Sequence, residues 1–556
     1  MRLTPSVGAA ALVLLTSTAM AAQAKNFSEA DCLLMKQTHI GASQIGLPTT
    51  GAVILAAAMV GQASERHCQI EGAIKPVDPT APDINFQLNL PLVWNGKALQ
   101  LGGSGFNGAV RKTDSARFAP KGIPDVLRQG YATFGSDSGH QGGISDASFA
   151  MNDEAWKNFT GAQLKKTHDV ALTLIQQAYG AKPKHMYFQG NSQGGHEALA
   201  VIQHYPQDYD GVIAIHPVYN FIELHMAGTL LGQAIYNTPG AWISPAKAAL
   251  IANAVYAVCD QLDGLTDGVV ANIKGCEKTF RLEGLRCPGG KDLGPNCLSD
   301  VQMSLVRKMT QPQPLGVTLP TGNFFASWPI LQGADAPTLV TMFGTGVNQS
   351  KAIVASELNG QTGPQAGTAP APANLIMSFP YIMGDQIVRY AVTLNPKYDT
   401  LSFVPAEHEA RLQELASLAD DTDPDIRAFE QRGGKLLLMH GSIDMSVPPA
   451  NTIAYYEKLQ AHFGDKALHQ FVRFYIAPGF AHNGGTFPVS WDSLGTLDNW
   501  VDKGIAPGTQ KIIDTHSVAA GRERPLCEYP QYPRYEGHGD KNAAASFRCV
   551  LDNQEK

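Results

Sequence analysis

The sequence has no uninterrupted run of about 18 uncharged apolar residues, so it offers no transmembrane helix. It contains no Cys-x-x-Cys, which leaves little to build a zinc site from. No Gly-Lys-Ser/Thr closes a phosphate-binding loop. Basic residues are outnumbered, 42 against 49 acidic, and the net charge of −7 speaks against general nucleic-acid binding. No internal repeat is evident. Only 16% of residues are charged and 44% are apolar, the balance of a globular chain rather than a disordered one. Its 556 residues can bury a large core, within a length prior of roughly two to four domains.

Residues 1–24 read as an export signal: Arg2 is the charged start, residues 9–15 the apolar centre, and Ala19-Met20-Ala21 or Ala22-Gln23-Ala24 a small-residue cleavage site. This segment carries no cysteine for a lipid anchor, so the expected location is secreted or periplasmic, with no membrane partner. Eight cysteines, an even count, suit that compartment. They fall in sequence-local couples, and the simplest of many pairings is Cys32–Cys68, Cys259–Cys276, Cys287–Cys297 and Cys527–Cys549.

The chain is organised around Gly190-Asn191-Ser192-Gln193-Gly194. A short β-prone run, His185-Met186-Tyr187-Phe188, precedes it, and a helical pattern follows as far as Pro206. A Gly-x-Ser-x-Gly turn between strand and helix projects the serine hydroxyl from the sheet. It also leaves the Gln193 amide at a helix N-terminus, where a developing oxyanion could be held. Before it, residues 84–90 alternate like a half-exposed strand, and 98–101 and 131–134 read as further strands. A helix is expected from about Asp153 to Tyr179, and 211–215 reads as a buried strand. This strand–helix rhythm favours a parallel sheet flanked by helices. It resumes only with strand 435–440, a helix over 451–463, strand 471–476 and a helix near 494–503. The stretch between is too long for a simple connection. It holds four cysteines, proline- and glycine-rich runs at 311–322 and 360–373, and aromatics including Phe324, Phe325, Trp328, Phe343, Phe379 and Tyr381. We read residues 25–220 and 426–556 as two parts of one α/β core and 221–425 as an inserted lid domain.

A serine nucleophile needs a base and an orienting acid. Asp444 follows strand 435–440 and His482 follows strand 471–476, so Ser192, Asp444 and His482 occur in the chain order of α/β-hydrolases, each just past a strand. Singly, Asp444 could be a turn former and His482 an ordinary loop residue; their order and placement together argue for a triad. Gly102-Gly103-Ser104-Gly105 follows an early strand, where such folds supply the second oxyanion amide. Asp260, Asp263 and Asp267 put three carboxylates within eight residues, a pattern that repels itself unless a hard cation such as calcium offsets it. The spacing is not that of an EF-hand, and a solvated acidic loop is the plainer alternative.

These motifs together resemble the tannase and feruloyl esterase family of α/β-hydrolases, which includes mono-hydroxyethyl terephthalate hydrolases. The likeness takes in Gly102-Gly103-Ser104-Gly105, the serine turn, the acidic loop between Cys259 and Cys276, Arg432-Gly433-Gly434-Lys435, and the tail Arg524-Pro525-Leu526-Cys527-Glu528-Tyr529-Pro530. It implies a lidded α/β-hydrolase fold and an esterase acting on small aromatic esters, such as feruloyl or galloyl esters. Ser192, Asp444 and His482 would form the triad, and the amides of Gly105 and Gln193 the oxyanion hole. Structural calcium would be held by Asp260, Asp263 and Asp267 with the carbonyls of Leu265 and Val269. The alternatives are a hydrolase of terephthalate-type or aliphatic esters, or a catalytically silent calcium-stabilised binding protein. The chain departs from the family at one point. Cysteines that flank the nucleophile and the histidine in the family are here Asn191 and Asn483, so their bridge is absent; the two asparagines, if adjacent, could exchange amide hydrogen bonds.

Overall fold

The computed structural model describes residues 27–62, 65–111, 113–344, 377–516 and 521–552. The export signal read at 1–24 and the run at 360–373 lie outside the described residues. A ten-stranded mixed sheet forms the frame. Its strands are β1 (His39–Ile40), β2 (Gly51–Val60), β3 (His67–Lys75), β4 (Ile84–Pro91), β5 (Lys97–Leu101), β6 (Ala132–Ser136), β7 (His185–Asn191) and β8 (Gly211–Ile215). After a small hairpin, β9 (Gln313–Leu319) and β10 (Gly322–Phe325), the sheet is completed by β11 (Lys435–Gly441) and β12 (Val472–Ala477). The order across the sheet is β1-β2-β3-β4-β6-β5-β7-β8-β11-β12. Strands β5, β6, β7, β8, β11 and β12 run parallel, and β1 to β4 extend the sheet antiparallel. This is the α/β-hydrolase arrangement.

The parallel strands are mainly apolar in their middles because both faces are covered. Phe188, Val212, Leu438 and Phe474 enter one core, and their alternate neighbours Tyr187, Ile213, Leu437 and Tyr475 enter the core on the other side. Strands β8 and β11 are adjacent in the sheet, with Leu436 opposite Val212, so all the chain between them lies outside it. That excursion has its own core, which includes Met226, Ile251, Val306, Trp328, Leu339 and Leu412, together with Phe106 and Phe159 from the first part of the chain. The proline- and glycine-rich run at 311–322 folds largely into the β9–β10 hairpin.

The helix expected from Asp153 to Tyr179 is interrupted. It begins as Asp153–Lys157, widens into a π-helical turn over Asn158–Ala162, and continues as Gln163–Tyr179. Gly161, at φ 155°, is the residue that takes the distortion. The four local cysteine pairs are all bonded: Cys32–Cys68, Cys259–Cys276, Cys287–Cys297 and Cys527–Cys549. Among the described residues no helix is long and apolar enough to cross a membrane.

Candidate active site

Strand β7 ends at Asn191 and the helix Gln193–His204 begins two residues later. Ser192 makes the corner at φ 64° and ψ −121°, a backbone conformation that L-residues rarely adopt. Its amide donates to the Ile215 carbonyl at 2.9 Å, which ties the corner to the end of β8. The turn is so tight that a Cβ on Gly190 would lie 1.9 Å from the Gly194 carbonyl oxygen, so only glycine fits there.

Asp444 follows β11 and is fully buried. Its Oδ1 accepts the Ser446 and Val447 amides at 2.8 and 3.0 Å, while Oδ2 accepts from His482 Nδ1 at 2.7 Å. Burial by itself would raise this carboxyl, but the neighbouring His482 charge and hydrogen bonds from His440 and His482 hold it well below the usual carboxylate range. Ser192 and His482 then face one cavity of about 140 Å³. The structure therefore brings together all three residues that the motif order singled out.

The glycine loop after β5 shows which amide is free to act. Gly102 N–H donates to Gln189 O at 3.0 Å, and Phe106 N–H to Ile144 O at 2.8 Å. Gly103 N–H is taken by Glu197 Oε2 at 2.7 Å, and Ser104 N–H by Asn107 Oδ1 at 2.5 Å. Among the described contacts the Gly105 amide alone in this run has no acceptor, and Gly105 lines the cavity beside Gln193, at the first position of its helix. Glu197, which nothing in the helix periodicity marked, is buried at the centre of this arrangement. Its Oε1 accepts from Asn107 Nδ2 at 2.7 Å and Gln163 Nε2 at 3.2 Å, and burial raises its pKa.

Much of the remaining cavity wall is apolar, with Phe106 from the core and Val218, Phe221, Leu224, Phe379 and Met383 from the long excursion, while Ser145, His225 and Ser446 add polar groups. Arg389 does not reach it. That side chain is buried, with its guanidinium on Asp385 at 3.2 Å, and belongs to the packing of the excursion.

Asn191 and Asn483 do not exchange amide hydrogen bonds among the described contacts. Asn191 is buried and its Oδ1 accepts from His216 Nδ1 at 2.8 Å, whereas Asn483 is exposed at the cavity edge. His216, at φ 46°, lies with its ring 5.2 Å from that of His482 and 5.0 Å from Phe480. Burial keeps this imidazole neutral by pushing its pKa well down. Nothing in the local sequence marks His216, because its contact with Asn191 depends on the pairing of β7 with β8.

The acidic loop folds around its own carboxylates. Asp260 accepts the amides of Asp267, Gly268 and Val269 at 3.0–3.2 Å. Asp263 accepts those of Leu265 and Ala271 at 3.1 and 3.3 Å. Asp267 accepts from Val269 N at 3.2 Å and pairs with Arg522 and Arg524 of the tail. Asp263, Leu265, Asp267 and Val269 border one small void. Burial, with the charges of Asp267 and Asp260 adding to it, pushes Asp263 up to about 8. Of the three carboxylates only Asp267 is reached by arginines, and while Asp260 Oδ1 is filled by three amides, each Asp263 oxygen accepts a single amide and keeps a lone pair free. A donor set of oxygens alone, with an undercompensated buried carboxylate, fits a hard cation such as calcium.

A strained serine at a strand–helix corner and a histidine–aspartate pair thus border one cavity on a sheet of the α/β-hydrolase fold. The sequence model of the family described as "Tannase and feruloyl esterase" matches residues 68–550, and the chain belongs to that family of carboxylic ester hydrolases. An uncharacterized esterase of Agrobacterium fabrum is 37% identical, over 94% of this chain and 93% of its own. The mono(2-hydroxyethyl) terephthalate hydrolase of Piscinibacter sakaiensis is 27% identical, over 87% of this chain and 85% of its own. The crystal structure of feruloyl esterase B from Aspergillus oryzae superposes with a TM-score of 0.74 at 21% identity, covering 94% of this chain and all of that one, which shows a common fold.

Proposed function

We propose that this protein is an exported serine esterase that cleaves esters of aromatic carboxylic acids through an acyl-enzyme. The observation that carries the reading is the strained Ser192 corner facing the same cavity as His482, with Asp444 buried behind it. His482 takes the Ser192 proton as Oγ bonds to the ester carbonyl carbon. Asp444, accepting from Nδ1, fixes the imidazole tautomer and stabilises its cation. The oxyanion is held by the amides of Gly105 and Gln193. The C–O bond to the alcohol then breaks, and His482 returns the proton to the departing alkoxide. Water repeats the sequence on the acyl-enzyme, releasing the acid and Ser192.

The aromatic preference rests on Phe106, Phe221, Phe379 and Met383, whose flat and flexible apolar surfaces suit a ring. Residues 221–425 are on this reading a lid domain that supplies most of that wall. Methyl ferulate, methyl gallate, methyl hydrogen terephthalate and p-nitrophenyl butyrate should be compared by kcat/KM. Aromatic acyl esters are expected to lead; cleavage confined to the butyrate would overturn the assignment. Four disulfides and the signal read at residues 1–24 support export.

Calcium is proposed as a structural ion held by Asp260, Asp263 and Asp267 with the Leu265 and Val269 carbonyls, where it would neutralise the clustered carboxylates. It takes no part in the reaction. Chelation should lower the melting temperature by about 5 °C and calcium should restore it, as expected for a ligand that binds only the folded state. Identical melting in chelator and in calcium, with no bound metal by mass spectrometry, would remove the ion from this account.

A further inference from the structure

A second cavity, of about 410 Å³, borders the glycine loop at Gly102 and Ser104. It shares Ser104 and Ile144 with the ester cavity, and Arg111 and Arg117 line it. In a chain of net charge −7, neither guanidinium has an ion-pair or hydrogen-bond partner among the described residues. The Arg117 guanidinium lies 5.6 Å from the ring of its neighbour Phe118. Both are half-buried.

The chain is tied down at Arg117, Phe118 and Thr113. Arg117 N–H donates to Gln189 Oε1 at 2.8 Å, and Phe118 packs edge-on against Phe480 at 5.3 Å. Thr113, two residues past Arg111, is buried and its hydroxyl accepts from Asn89 Nδ2 at 2.6 Å. Burial lowers the pKa of both guanidiniums, with Glu197 opposing the shift at Arg111 and the Arg111 charge adding to it at Arg117. Glu197 cannot serve as a close partner, since Gly103, Asn107 and Gln163 occupy its oxygens. Two desolvated cations that repel each other beside a polar loop are relieved by an anion placed between them.

We propose that Arg111 and Arg117 form a carboxylate-binding subsite next to the oxyanion loop, so that this protein prefers esters bearing a free carboxylate. The proposal rests on the reading of Ser192 as the ester-cleaving nucleophile, and the subsite acts on binding and orientation rather than on bond cleavage. The carboxylate could sit on the acyl group or on the alcohol. Methyl hydrogen terephthalate against methyl benzoate tests the first, and chlorogenate against methyl caffeate the second.

For at least one pair, kcat/KM of the acidic ester should exceed that of the neutral ester by about ten-fold, and Arg111→Gln plus Arg117→Gln should abolish this ratio. The ratio should also shrink as salt is raised. Because Arg111 offsets the buried Glu197 charge, Arg117→Gln alone is a second variant should the double change fail to fold. In parallel, calorimetry on Ser192→Ala protein should show tighter binding of the acidic ester, a readout that needs no turnover. If wild-type protein cleaves both members of each pair equally well, and Ser192→Ala binds them equally, the subsite is refuted while the esterase assignment stands. If no ester is cleaved, the esterase reading fails, and the binding comparison alone decides the subsite.

Discussion

Replacing Ser192 by alanine is expected to lower kcat for ester hydrolysis by roughly 10⁴-fold or more, with the fold and its melting temperature nearly unchanged. The hydroxyl is the one group that the Ser192 corner presents, and its backbone bond to Ile215 does not involve the side chain. Alanine inherits the same φ of 64°. His482→Ala should cost about as much, and the double variant little more than either single one, because the members act as a unit. Asp444→Asn should also fall by about 10⁴-fold, since an amide accepting at Nδ1–H cannot hold the cation that a carboxylate can. A fluorophosphonate should add its mass at Ser192 in wild-type protein and not in Ser192→Ala. Folded Ser192→Ala protein that retains wild-type turnover would remove the triad.

Elements whose local pattern already states their environment were legible in the sequence. Strands β7, β8, β11 and β12 are buried on both faces, and a continuous apolar run bounded by turn residues is what such strands look like. The serine turn is legible for a similar reason, because its glycines and its flanking strand and helix are all contiguous. Strand β2 was missed: Gly51–Val60 is almost wholly apolar, yet Val53 and Leu55 are exposed, so neither hydrophobic period marks it. The π-helical turn at Asn158–Ala162 was also invisible, since a helix continues on both sides of it.

The unread part of the site depends on contacts distant in sequence. Glu197 reaches back across 94 residues to the Gly103 amide, and His216 finds Asn191 only once β7 and β8 are paired. Arg111 and Arg117 look in sequence like ordinary surface cations; that neither guanidinium has an ion-pair partner among the described residues is a property of the folded chain. The cavity wall from the excursion is set by the packing of Phe221–Tyr236 against Phe379–Ile387, helices separated by more than a hundred residues. No period or motif encodes such a meeting.

Gly105→Ala tests the oxyanion assignment without touching the triad. Gly105 sits at φ +57°, and a Cβ there would lie 2.3 Å from the Ile144 carbonyl oxygen. The backbone must therefore move, and that same oxygen accepts the Phe106 amide at 2.8 Å, so the move pulls on a bond that anchors this end of the loop. The amide would lose its aim at the position where the oxyanion forms. Loss of one such donor costs about 3–4 kcal/mol of transition-state stabilisation, so kcat should drop on the order of 10²–10³-fold. KM should change less, because the ground-state carbonyl relies on that amide less than the oxyanion does. Gly122→Ala is the control: its φ is +97° and a Cβ there meets nothing within 4 Å, so it carries the backbone penalty alone and should leave kcat at the wild-type value. If Gly105→Ala folds and keeps wild-type kcat, the oxyanion is held by some other donor, and the elimination of the loop's other amides by their own hydrogen bonds leads to the wrong one.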